Sequence, residues 1–169
     1  MEVTNTSYVE NSGLILLSPF LKQYFEQLQY MADGVFLSKV YQNRALYLLQ
    51  YLVYAHIDVP ENALLLNKIL VGMPLSHPVN PITTMTQDEI ALSDSLLHGF
   101  ISNWPRMEDT TPTGVQETFL QRGGIVTIDQ ATYSLMVERR GVDVLVQGIP
   151  WNFSVIASPW MRNPLHVTW

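Results

Sequence analysis

Residues 123–160, GGIVTIDQATYSLMVERRGVDVLVQGIPWNFSVIASPW, form the stretch where the apolar pattern changes from a helical to an extended period. Tyr133, Leu135 and Val137 alternate with Ser134, Met136 and Glu138, and Val142, Val144 and Val146 alternate with Asp143, Leu145 and Gln147. A period of two marks strands with one face more buried than the other. Between the runs lies Glu138-Arg139-Arg140-Gly141, so a hairpin turning at Gly141 is the simplest connection. Residues 153–157 supply a further short strand. Pro150-Trp151 and Pro159-Trp160 bracket it, since proline belongs at strand ends and each indole brings a large apolar area with one N–H to satisfy. The simplest role for Trp151 and Trp160 is to lid the core; the alternative is an interface.

Outward from this stretch, the preceding chain reads as helices. Ser18-Pro19 starts one, with Phe20, Leu21, Tyr24, Phe25 and Leu28 on one face, ending near Asp33-Gly34. Ser38 caps a second that is apolar all round from Ala45 to Ile57 except for Gln50 and His56, as a central, buried helix would be. Its apolar run is well below the ~20 residues a bilayer crossing needs. Asp58-Val59-Pro60 begins a third, stopped by Gly72. Pro74, Pro78 and Pro81 then favour an extended surface loop that exposes Leu75 and Pro78. Thr86-Gln87-Asp88-Glu89 is a capping box for a fourth helix ending at Trp104-Pro105, and Pro112 opens a short fifth that closes at Gly123-Gly124. The expected fold class is α+β: an N-terminal bundle of about five helices packed on a small C-terminal antiparallel sheet. Residues 13–169 form one compact domain, and the polar residues 1–12 are expected to be a flexible or linker segment.

Composition narrows the function. The absence of cysteine excludes disulfide and thiolate chemistry, and the start of the chain has neither the basic nor the cleavage-site character of a signal peptide. A formal charge of −6, with nine Lys plus Arg in no long run, argues against nucleic acid and anionic membranes as partners. Only 14% of residues are charged, against about 25% in an average soluble domain. A surface so short of charge is expected to face protein.

Catalytic signals are absent from the pattern. His56, His77, His98 and His166 show no metal-ligand spacing, and no phosphate-binding or dinucleotide glycine motif occurs. Ser93, Asp94, Ser95 and His98 resemble nucleophile-and-base material, yet residues on one exposed helix face seldom provide an oxyanion hole. No enzyme, metal, cofactor or small-molecule substrate is expected. The interaction candidates are Trp151, Trp160 and Trp169, the arginine pair Arg139 and Arg140, and Leu75 and Pro78 of the proline loop.

Taken in order, ENSGLILLSPFL (10–21), RALYLLQYL (44–52), LLLNKILVGMP (64–74), LLHGFISNWPRM (96–107), GVQETFLQRGG (114–124), YSLMVERRGVDVLVQGIPW (133–151) and SPWM with LHVTW resemble the C-terminal region of contractile injection system tape-measure proteins. These belong to phage-tail-like particles of the antifeeding-prophage type. The resemblance covers nearly the whole chain from Glu10. It implies a structural protein at or inside the tube, assembled in the cytoplasm and carried in the particle, that helps fix tube length. Its implied partners are tube, baseplate and other tape-measure components, with self-association among them. A ruler needs a long rod, whereas the longest helix expected here, residues 39–57, extends only about 29 Å at roughly 1.5 Å per residue. The expectation is therefore a compact end domain that docks the ruler. An effector- or peptide-binding adaptor using a sheet edge or the proline-rich loop is the alternative.

Overall fold

Helices and strands share the chain in the way an α+β fold does. The structure, a computed structural model, describes residues 4–169. Met1, Val3 and the residue between them lie outside the described residues, so the part of the expected flexible segment that falls there has no structural account. Thr4–Val9 is a strand, β1. It corrects the flexible reading for residues 4–9: Thr, Tyr and Val favour a strand, and Val9 is buried. Polarity on the open side of an edge strand looks like disorder in a sequence.

Residues Ser12–Leu17 form a tight helical turn in which every residue is buried, and α1 (Ser18–Gln27) continues from it with proline in its first turn. The α1 helix stops earlier than its pattern suggests. Gly34, at φ 75°, serves instead as the turn of a small hairpin between β2 (Met31–Ala32) and β3 (Val35–Phe36). Ser38 caps α2 (Lys39–Tyr54) by accepting from the Tyr41 amide at 3.3 Å. Leu52 and Val53, in its last turn, would leave carbonyls unsatisfied. Gln116 Nε2 and Gln121 Nε2 donate to them, each at 2.9 Å.

The third helix is shorter than expected: a single turn at Glu61–Ala63 precedes α3 (Leu65–Val71). Gly72 ends it at φ 75°, where a side chain would also strike the Trp160 carbonyl, since a Cβ would lie 1.9 Å from that oxygen. Here only glycine fits. The capping box forms as expected at α4 (Gln87–Ser102), with Glu89 N donating to Thr86 Oγ1 at 3.1 Å and Thr86 N to Glu89 Oε1 at 2.8 Å. A short α5 (Pro112–Val115) widens into a π-type turn at Gln116–Leu120.

The five-stranded sheet runs β1-β4-β5-β7-β6. Its hairpin joins β4 (Gly124–Asp129) to β5 (Thr132–Val137), and β1 pairs antiparallel to β4, from Thr4 opposite Asp129 to Val9 opposite Gly124. The expected second strand of the 133–146 hairpin does not exist. Gly141–Gly148 is a short 3₁₀ helix, in which Val144 is exposed and Val146 buried. The cause is electrostatic: Asp143 is drawn to the buried Arg122 guanidinium while also accepting from the Arg140 amide at 3.0 Å. Beyond it, β6 (Val155–Ile156) is shorter than expected, and β7 (Leu165–Thr168) lies parallel to β5. The sheet is thus mixed, not antiparallel, because the chain crosses over before its last strand. Val126, Tyr133, Leu135, Val137, Ile156, Leu165 and Val167 form its buried face and belong to one continuous core with the helices.

Candidate functional site

The indoles proposed as interaction residues are tied individually to the interior. Trp151 Nε1 donates to the Leu16 carbonyl at 3.1 Å, with its ring edge-on to Phe20 at 5.2 Å. Trp160 Nε1 donates to Leu70 O at 2.8 Å and meets Phe25 and Phe36. Trp169 Nε1 donates to Asp143 Oδ2 at 2.8 Å, and its ring lies 5.3 Å from the Arg122 guanidinium. All three are half-buried and sit against different elements, so they do not converge on one surface. Sequence reasoning passed over the fourth, Trp104, which is fully buried and donates to Leu145 O at 2.9 Å.

Arg139 and Arg140 are exposed, as a solvated pair would be, while the wholly buried Arg122, which carries no local motif in the sequence, has the structural role. Its Nη1 and Nη2 reach Asp143 Oδ2 and Oδ1 at 2.7 and 2.8 Å and also bond the carbonyls of Glu138 and Thr118. Burial opposes ionisation of Asp143, but the bonds from Arg122, Trp169 and the Arg140 amide outweigh it and hold the carboxyl below its ordinary value. No short-range sequence signal links Arg122 and Trp169 to Asp143, from which they are 21 and 26 residues away.

The proline loop is pinned rather than free. Lys68 Nζ donates to the carbonyls of Leu75 and His77 at 3.2 and 2.8 Å and pairs with Glu61, whose Oε1 also accepts from the Val79 amide. Asn43 grips both backbone groups of Asn80, and Arg44 Nη2 donates to Thr84 O. Leu75 is half-buried and Pro78 exposed. The bonds from Val79 and Lys68 keep the Glu61 carboxyl below the usual range.

Polar groups inside the helices are also committed. Asn67, fully buried, donates to Leu46 O and accepts from Asn11 Nδ2 at 2.7 Å; the same Nδ2 reaches Gln50 Oε1 at 3.1 Å. Glu89 is buried, accepts from Tyr30 and is paired with Arg44. Ser93 hydrogen-bonds Tyr24 and donates to Glu89 O, both at 2.6 Å, while Asp94 and His98 are exposed. The serine is thus held in the interior, and burial drives the Tyr24 phenol far above its ordinary range. These groups brace helices against one another and do not assemble a nucleophile and base. Among the described residues, no helix is long and apolar enough to cross a membrane.

The outer face of the sheet leaves one apolar row open. Register places Tyr8, Ile125 and Met136 side by side on the outer face of the sheet, with Thr168 completing the row, and Tyr8 and Met136 are 62% and 61% exposed. The adjacent row holds Thr6, Thr127, Ser134, His166 and the exposed Val155. Neither row carries a carboxylate, lysine or arginine. Val35, Leu37, Val40 and Tyr41 make a second exposed apolar group where the small hairpin meets α2. The alternation of Tyr133, Leu135 and Val137 with Ser134, Met136 and Glu138 was the signal for this face; that Ile125 and Tyr8 share it with Met136 needed the pairing.

A family model described as contractile injection system tape measure protein matches residues 1–169. No curated protein and no solved structure matches the chain.

Proposed function

The chain belongs to the contractile injection system tape measure protein family, and from that premise we propose that it is a non-catalytic docking module, the end domain that joins the tube-length ruler to tube or baseplate components. The family supports a structural role in the contractile particle. The observation that carries the finer reading is the outer sheet face, where Tyr8, Ile125 and Met136 stand exposed in a row, flanked at one end by the exposed Glu138. Single exposed apolar residues are ordinary; a contiguous band of them favours protein contact.

Helix length supports the division of labour. The longest helices, α2 and α4, have 16 residues each. Each therefore spans about 24 Å at ~1.5 Å per residue, too little for a length standard. In this reading the module is made in the cytoplasm, meets its partners during assembly and remains in the particle. Co-sedimentation of the chain with tube, baseplate or other tape-measure components tests it. Recovery in the particle fraction is expected, and a monodisperse monomer that binds none of these components would overturn the proposal.

The adaptor alternative retains one supporting feature. The proline loop has the carbonyls of Leu75, His77 and Asn80 engaged by Lys68 and Asn43, so it offers fewer free backbone acceptors to a peptide. The edge of β1, paired on one side only among the described residues, remains suited to strand addition.

A further inference from the structure

Where β1 ends, the segment following α2 folds beside it and the two bound a cavity of about 390 Å³. Tyr8, Tyr54 and His56 line it with aromatic rings, Glu10 and Asp58 with carboxylates, and the buried Gln50 lies at its base. The exposed Glu10, His56 and Asp58 place the carboxylates at the mouth. Tyr54 is held in position, its hydroxyl donating to Glu10 O at 2.7 Å and its ring 6.0 Å from that of His56. Asn11, also lining the cavity and 2% exposed, has an Oδ1 with no hydrogen-bond partner. No lysine or arginine is among the described residues that line it.

This combination has a definite chemical complement. Ring faces attract cations, and carboxylates at an entrance attract them from further away. Burial raises the Tyr54 phenol, and Glu10 and Tyr8 raise it further, as a locally negative potential would. The cavity also opens beside the outer edge of β1, which no strand among the described residues pairs and whose backbone groups can receive an added strand.

We propose that this cavity takes a lysine or arginine side chain from an extended segment of a protein partner that pairs along the free edge of β1. Strand addition sets alternate side chains on one face, so the partner segment carries its basic residue where the added strand passes the end of β1. The segment supplies the positive charge that this chain, at a net −6, lacks. The proposal rests on the docking-module reading and names the chemistry of one contact within it.

The test uses the whole chain and a short synthetic peptide alternating arginine with threonine, compared with one alternating glutamate and threonine. Calorimetry should give saturable binding of the basic peptide alone, with backbone amide shifts confined to residues 5–10 and 54–62. Glu10→Gln with Asp58→Asn should weaken it by about tenfold or more, as expected for a charge-complementary contact, without altering the melting temperature. Asp94→Asn with Glu117→Gln, the same charge change elsewhere, should have little effect. Equal weakening in both double variants, equal binding of the acidic peptide, shifts elsewhere, or no saturable binding would overturn the proposal. If the peptide fails while the chain still co-sediments with tube or baseplate, only the cavity assignment falls. If the peptide binds at the cavity but the chain does not co-sediment, the cavity assignment stands and the docking reading falls.

Discussion

Arg122 and Asp143 form a two-pronged ion pair, at 2.7 and 2.8 Å, that joins the segment before β4 to the 3₁₀ helix after β5. The guanidinium is wholly buried and the carboxylate nearly so. Two further groups bond the same carboxylate, the Trp169 indole and the Arg140 amide, so the pair also locks the end of β7 in place. Removing one partner of such a pair leaves a buried charge uncompensated. Asp143→Asn should therefore destabilise the fold by about 3–5 kcal/mol in denaturant titrations. Arg122→Met combined with Asp143→Leu should recover much of that loss, because an apolar pair of similar volume leaves no charge to desolvate. If the double variant is as unstable as the single one, the pair has a geometric role that apolar packing cannot replace.

The same pair makes stability depend on acid. The Asp143 carboxyl is held below its ordinary value in the folded protein, so its contribution is present above the unfolded value of about 3.9 and is lost as pH falls through the folded one. Glu61, lowered by Val79 and Lys68, acts in the same direction. Glu89, which burial pushes up, has the opposite sign, so the difference between wild type and Asp143→Asn isolates Asp143. That difference should be full at neutral pH and shrink in the acid range. A difference constant down to strongly acidic pH would show that Asp143 is not the titrating group.

Two positions with left-handed backbone should respond in opposite ways to substitution. Gly72→Ala introduces a Cβ at φ 75° and against the Trp160 carbonyl, so a loss of more than about 2 kcal/mol is expected. Ala55, the residue that ends α2, is exposed and already sits at φ 60°. Ala55→Gly relieves that strain and should gain up to about 1 kcal/mol. Thermal melting of both variants checks the pair, and a neutral Gly72→Ala would mean that the segment around Trp160 yields easily.

How much of this was legible in advance depended on whether the signal was local. Thr86 and Glu89 lie within one helical turn, and their capping box reads directly from the sequence. Ser38 and Gly72 likewise act on their immediate neighbours. The hairpin was misplaced because its register depends on a distant ion: Asp143 turns inward for Arg122, and that converts an alternating valine run into a helix. β1 was missed because it is short and mostly polar, with Val9 its one buried apolar residue, so its strand character shows only once it is paired along β4. The cavity beside β1 joins Glu10 to Asp58 through that same pairing, so neither carboxylate stood out alone.

The tryptophans should separate by burial. Trp104→Ala, which opens a cavity against Phe119 and Phe100, should cost about 3–5 kcal/mol. Trp151→Ala and Trp160→Ala, being half-buried, should fall at the lower end of that range, about 3 kcal/mol. Trp160→Phe keeps a ring beside Phe25 but loses the bond to Leu70 O, and about 1 kcal/mol is expected. Unchanged melting with lost assembly in either alanine variant would make that indole an interface anchor instead.

Ile125 and Met136 offer the opposite test, because each side chain projects from the sheet away from the core. Their neighbours on the buried face, Val126 and Leu135, hold the fold whatever stands outside. Ile125→Thr with Met136→Thr keeps strand propensity and removes apolar area, so a change within about 0.5 kcal/mol is expected. Association with tube or baseplate components should nevertheless fall, since the row opposite Tyr8 would lose its apolar contacts. The decisive comparison is with Val126→Thr, which should lower melting and assembly together by placing a hydroxyl in the core. If the outer double variant also melts early, the face is part of the folding core. If it melts and assembles as wild type does, the docking surface lies elsewhere, and the exposed group at Val35, Leu37 and Val40 becomes the next to substitute.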